Sequence, residues 1–297
     1  MTLCVAVTTA GGLVLGADSM TVVTDGPATK TYANAVKIFE VPGLPVGILT
    51  YGLGSLGRRS IGILIDEWSA NQPSFAKKGY TVQEVAESVG SFVFERHRLF
   101  RDKMRLILEE NQKHALENGT PESAPLFNEL DYATGLIVGG FQPDSMFPWL
   151  WAWEEPARPG VSNGLTQVRP HEGENGPVAG LDYWGETHSL DRLVRGYDPA
   201  IMDLLHENAG GPSRILKEHE WSVLYEGMPL KDAADLARFA LEVGVGYHRF
   251  TQDVPQVGGE LDIAIITRRG THWHARKDLT RQLTSGLATH FAEETKG

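Results

Sequence analysis

The chain has 297 residues, 41% of them hydrophobic, enough for a large core, and one domain spanning 1–297 is the favoured reading. A net charge of −11 argues against nucleic acid or an anionic membrane as the main partner. The lone cysteine, Cys4, excludes an internal disulfide and fits a reducing compartment, and neither a basic leader nor a bilayer-length apolar window is visible. A cytoplasmic location is therefore expected.

The first stretch reads as a β-hairpin. Apolar residues alternate from Leu3 to Val7, Gly11-Gly12 break the pattern, and an apolar run from Leu13 to Ala17 ends on Asp18. Because threonine follows the initiator methionine and is small, processing is expected to expose Thr2 as the N-terminal residue. Such a residue carries a hydroxyl nucleophile and an amine whose ordinary pKa of about 7.7–8.0 suits a general base. A three-residue loop, Ala10-Gly11-Gly12, would pair Cys4 with Asp18 and set Asp18 diagonal to Thr2. A two-residue loop would put Asp18 on the other face.

Next comes the strand Val36–Val41, in which Lys37 shares a face with Phe39 and Val41. An inward lysine needs an anion, and Asp18 is the obvious one; the resulting cation near Thr2 would lower the pKa of its amine. The strand Val46–Tyr51 then enters a glycine turn, Gly52-Leu53-Gly54-Ser55-Leu56-Gly57, ahead of a helix from about Arg58 to Trp68. A backbone N–H of this turn is a candidate oxyanion donor. The same turn satisfies G-x-G-x-x-G, so a dinucleotide-binding oxidoreductase is the rival enzyme class, although 72–80 does not supply the strand ending in an acid that such a site uses.

Thr2, the Gly11-Gly12 turn, Leu15-Gly16-Ala17-Asp18-Ser19, the Val36-Lys37-Ile38 strand and the Tyr51-Gly52 turn together resemble the proteasome β-subunit family of N-terminal nucleophile hydrolases. The resemblance is nearest to its bacterial self-compartmentalising members of the ancestral β-subunit type. It implies that Thr2 is the nucleophile, that Asp18 and Lys37 form the supporting ion pair, and that the Gly52 N–H helps to bind the oxyanion. Two departures are visible: Met20 stands where the family often has arginine, and the stretch from Ser19 to Lys37 is longer.

Further along, Thr81 with Glu84 forms a capping box for a long helix reaching Asn118. Strands are expected at Ala133–Phe141 and Trp149–Trp153, a loop over Gly160–Gly176, and a helix opened by Trp184–Ser189. A helix over Leu230–Tyr247 and a strand over Leu261–Thr267 follow, with Asp253 ahead of the Gly258-Gly259 pair between them. The resemblance makes Ser19, Thr187, Ser189 and Asp253 candidates to support the nucleophile. Insertions are placed near 101–130, 155–180 and 206–222, with a polar tail over 277–297. His272 and His274 share a strand face but lack a third ligand, so no metal and no cofactor are expected.

The expected fold is α+β, a four-layer αββα sandwich of two antiparallel sheets covered by helices. The expected activity is that of a proteasome-like threonine peptidase acting on peptides or unfolded protein, with a catalytically inactive scaffold subunit as the alternative. Apolar residues on the 58–118 helix pair, including Ile61, Leu64, Trp68, Phe92, Phe94 and Phe100, exceed one buried stripe and suggest a homo-oligomeric ring or helical assembly, with or without an ATPase partner.

Overall fold

The computed structural model describes residues 2–25, 28–71, 75, 79–120, 125–157, 164–170, 178–197, 221–251 and 254–277. They form an α+β structure. One five-stranded sheet contains β1 (Leu3–Thr9), β2 (Gly12–Ala17), β12 (Gly180–Gly185), β13 (Asp262–Thr267) and β14 (Gly270–Ala275), in the order β12-β1-β2-β13-β14. The other contains β5 (Ile38–Glu40), β6 (Val46–Gly52), β9 (Thr134–Gly140), β10 (Trp149–Glu155) and β11 (Gly164–Arg169), in the order β11-β10-β9-β6-β5. Two small ribbons complete the strands: β3 (Thr21–Asp25) with β4 (Ala28–Tyr32), and β7 (Ser55–Leu56) with β8 (Arg59–Ser60).

The period of two along β1 explains how the layers are joined. Leu3, Val5 and Val7 point away from the second sheet and pack with Ala233, Ala237 and Leu241 of the helix α4 (Leu230–Arg249). Cys4 and Ala6 point the other way and share a cluster with Leu49, Ile137 and Leu150 of the second sheet. The far face of that sheet, including Ile48, Leu136 and Val138, packs under α1 (Ile61–Asn71) and α2 (Val82–Glu117). α2 starts with both bonds of the Thr81–Glu84 capping box in place. A short turn, α3 (His188–Leu190), continues as wider turns over Asp191–Arg195 after β12.

Several expectations are corrected. The first hairpin pairs Thr9 with Gly12 and Cys4 with Ala17, so its loop is the two residues Ala10-Gly11 rather than three. The stretch expected as a loop over 160–176 contains β11, an edge strand held to β10 and tied to β12 by Arg169 and Asp182 at 2.9 Å. Trp184 and Gly185 end a strand rather than opening a helix. The glycine turn leads into the β7–β8 ribbon, and the helix begins only at Ile61. Every described strand pairing is antiparallel, which removes the parallel crossover a dinucleotide site needs.

The apolar surplus on the helices is also located elsewhere than expected. Ile61, Leu64, Trp68 and Phe94 are fully buried against the second sheet, because α1 and α2 pack on each other as well as on the strands. The apolar residues left in solvent on α2 are Leu99, Leu106, Ile107 and Leu116.

Candidate active site

Thr2 precedes β1, an interior strand of its sheet. β1 is buried along its whole length between β12 and β2, so its first residues cannot fray as a free terminus would. The Thr2 carbonyl accepts the N–H of Glu186 at 2.8 Å. This contact requires glycine at 185, whose φ is +89° and where a Cβ would stand 1.8 Å from the Thr2 oxygen.

Asp18 lies one residue past β2, opposite Leu3. There the pleat no longer dictates which face a side chain takes, and its carboxylate turns back under the start of β1. Oδ1 accepts from the Leu3 N–H at 3.0 Å and from Lys37 Nζ at 2.7 Å. Oδ2 accepts from the N–H groups of Met20, at 3.1 Å, and Gly258, at 3.0 Å. Four donors occupy the lone pairs of the carboxylate, which offsets the cost of burying a group that is 1% exposed.

Lys37 stands just ahead of β5, fixed through its carbonyl to the Thr50 N–H at 3.0 Å. It is 5% exposed, and its ammonium also donates to the Met20 carbonyl at 2.6 Å. The longer chain between Ser19 and Lys37 folds out as the β3–β4 ribbon, so the extra length leaves Lys37 in contact with Asp18.

Thr2 and Lys37 line one cleft of about 620 Å³ with Gly52, and Phe39, Ile61 and Phe100 form part of its apolar wall. Gly52 has φ +84°, and a Cβ there would meet the Ala133 carbonyl oxygen at 2.1 Å, so the turn that closes the cleft admits glycine alone. Cys4 faces the interior beside this site, with its thiol donating to the Thr50 carbonyl at 3.4 Å. Burial pushes the thiol well above its usual range, so it is no nucleophile.

In fold the chain is similar to Anbu. The Gly-1 mutant of Anbu from Hyphomicrobium sp. strain MC1 matches with a TM-score of 0.52 at 15% identity, covering 100% of this chain and 97% of that one. Anbu, the ancestral beta-subunit, from Yersinia bercovieri matches with a TM-score of 0.50 at 15% identity, covering 98% and 96%. No family model and no curated protein matches the sequence. At this identity the similarity to Anbu is one of fold, and it extends through nearly the whole of each chain.

The remaining candidates are placed unequally. Ser19 is buried, but its hydroxyl donates to the Glu260 carbonyl at 2.5 Å and accepts from Lys277 Nζ at 2.9 Å, which turns it away from the cleft. Thr187 caps α3 without a side-chain bond, and the buried Ser189 hydroxyl has no partner among the described residues; neither lines the cleft. Asp253 and Met1 lie outside the described residues. Lys277 and Asp262, a second buried ion pair beside Ser19, escaped the sequence reading, as did the bond from the Glu186 N–H to the Thr2 carbonyl. The alternation of Asp262 with Ala264 and Ile266 hinted at an inward acid, but nothing local joined it to a lysine 15 residues on. Among the described residues no group of three His, Cys, Asp or Glu is placed to hold a metal, and no helix is long and apolar enough to cross a membrane.

Proposed function

We propose that this chain is a proteasome-like N-terminal nucleophile hydrolase, its two sheets and flanking helices forming the four-layer αββα sandwich of that class. It hydrolyses peptide bonds as a threonine peptidase in a cytoplasmic homo-oligomer. The observation that carries this reading is the buried Lys37–Asp18 pair, whose lysine lines the same cleft as Thr2. An ion pair costs more desolvation than a surface pair returns, so one placed beside a potential nucleophile supports a chemical role.

In this mechanism loss of Met1 frees the Thr2 amine. Thr2 Oγ attacks the substrate carbonyl carbon while the amine takes the hydroxyl proton, and the Gly52 N–H meets the oxyanion. Collapse transfers that proton to the departing amine and leaves an ester on Thr2, which water then hydrolyses. The Lys37 ammonium keeps the Thr2 amine neutral by opposing a second nearby positive charge. Phe39, Ile61 and Phe100 favour a substrate side chain that is apolar, since among the described residues Lys37 is the one charged side chain lining the cleft and is already paired.

Treatment with a threonine-directed electrophile followed by intact-mass analysis tests the proposal. The expected product lacks Met1 and carries a single adduct on Thr2. Full hydrolytic activity with Met1 still attached overturns the mechanism, and a processed protein that takes no adduct and cleaves nothing is the inactive scaffold instead.

A further inference from the structure

The buried face of α2 ends at His97, and beyond it only Ala115 is buried. The solvent face of this distal half carries Leu99, Asp102, Leu106, Glu109, Lys113 and Leu116, spaced alternately three and four residues apart and all exposed. The three leucines are 68%, 67% and 61% exposed. This spacing is the heptad seam of a coiled coil without its second strand. Along one flank of the seam, at intervals of seven, stand Arg96, Lys103, Glu110 and Glu117, two cations followed by two acids.

We propose that this face pairs antiparallel with the same face of a second copy of the chain, about a two-fold axis. In that arrangement Leu99 meets the partner's Leu116, Asp102 meets the partner's Lys113, and Leu106 meets the partner's Glu109. The flank then sets Arg96 against the partner's Glu117 and Lys103 against the partner's Glu110, and the two-fold axis repeats every pair. Parallel pairing in register would oppose each of Asp102, Glu109 and Lys113 to its own copy, so charge rejects it.

Other cations of this half are already matched within the chain: Arg98 with Glu155 at 2.6 Å, and Arg105 with Glu129. Lys103 and Glu110 enter no ion pair among the described residues, while Arg96, Asp102 and Glu117 make only long contacts, with Glu95 at 3.9 Å, Arg101 at 3.7 Å and His114 at 3.6 Å, which a partner's charge can replace. Polar layers at Asp102–Lys113 and Leu106–Glu109 fix orientation and register at a cost in affinity, so this contact is a weak one that gains from other surfaces of an assembly. Phe100, which lines the cleft, follows Leu99 directly, so the paired helices start at the cleft wall. The contact names one surface of the homo-oligomer proposed above and does not depend on the chemistry at Thr2.

Charge exchange and crosslinking test it. Arg96→Glu with Lys103→Glu, or Glu110→Lys with Glu117→Lys, replaces four attractive pairs by repulsive ones and should weaken association by about tenfold in sedimentation. A one-to-one mixture of the two double variants should restore it. Because Cys4 is buried, single introduced cysteines report without background. Leu99→Cys mixed with Leu116→Cys should form a disulfide-linked dimer on oxidation. Leu99→Cys alone should not, since two copies of position 99 lie roughly 25 Å apart in the antiparallel pair. Crosslinking of Leu99→Cys alone as readily as the mixture overturns the proposal. So does the absence of any crosslink in the mixture, or charge variants that associate like the parent or fail to complement each other. Far-ultraviolet circular dichroism of each variant controls for folding.

Discussion

Lys37→Met tests the core of the proposed site. The substitution keeps most of the side-chain volume and removes the ammonium from a pair in which Lys37 and Asp18 are 5% and 1% exposed. Breaking a buried pair by deleting one partner costs about 3–5 kcal/mol, because the remaining charge stays desolvated. Here the Asp18 carboxylate keeps three backbone donors, from Leu3, Met20 and Gly258, which places the loss near the lower end, about 3 kcal/mol. That is a large share of the roughly 5–15 kcal/mol by which a protein is stable. Urea unfolding followed by the fluorescence of the seven tryptophans, at one fixed protein concentration, reads it directly. The double variant Asp18→Asn with Lys37→Met should recover part of the loss, giving a coupling of at least about 1 kcal/mol. Hydrolysis should fall to background in the single variant even where it remains folded. A loss below about 1 kcal/mol, the size expected for a solvent-exposed pair, would refute the description of Lys37 and Asp18 as a buried unit.

Thr2→Ala should abolish hydrolysis with unfolding stability changed by less than about 1 kcal/mol, since it removes one hydroxyl from a strand start; turnover equal to the parent on every substrate excludes Thr2 as nucleophile. Gly52→Ala forces a Cβ to within 2.1 Å of the Ala133 carbonyl oxygen at φ +84°, and should cost about 2 kcal/mol or more in thermal or urea unfolding. His97 sits fully buried with Nε2 2.6 Å from the Tyr132 carbonyl oxygen, and burial holds its pKa below the usual value near 6.5. Its unfolded form therefore binds a proton more readily, so stability is complete above about pH 6.5 and declines as pH falls, by up to about 1.4 kcal/mol per pH unit. His97→Gln, which keeps a donor toward Tyr132 but does not titrate, should flatten the dependence of urea midpoints on pH between about 7.5 and 5.5. An unchanged slope assigns that dependence elsewhere, His248 being the next buried imidazole whose pKa is lowered by burial.

How much could be read from sequence depended on the range of the interaction. The apolar runs of β1 and β2, the Thr81–Glu84 cap and the 230–249 helix are written in residues a few positions apart, and they are legible. β11 was hidden because an edge strand with glycines on both sides resembles a loop until its partner β10 is known. The apolar residues of α1 and α2 are plain in the sequence but their surface is not, since sequence does not reveal that two helices and a sheet share them. The proximity of Lys37 to Asp18 came from a charge argument: an inward lysine needs an anion wherever the chain finds one. The two-residue hairpin loop does not separate the pair, because Asp18 lies beyond the last paired residue and its direction is set by its donors rather than by the pleat.

The polar groups behind the cleft explain why that placement is rigid. Ser19 lies between two buried ion pairs, Asp18–Lys37 on one side and Asp262–Lys277 on the other. Its N–H donates to the Gly258 carbonyl at 3.0 Å, while its own carbonyl accepts the Ala35 N–H at 2.9 Å. Gly259, at φ +76°, brings the backbone so close that a Cβ would stand 2.7 Å from the Ala33 oxygen. The segment bearing Asp18 is therefore fixed by β1, by the approach to Lys37 and by the 258–260 loop at once. A buried charge is costly wherever it moves, so each of these contacts penalises displacement of the others. Asp18 in turn accepts the N–H of Leu3, the residue that follows Thr2, and donates its own N–H to the Leu3 carbonyl at 3.3 Å, so that the polar framework, with the Glu186 N–H on the Thr2 carbonyl, sets where the strand and the threonine at its head can stand.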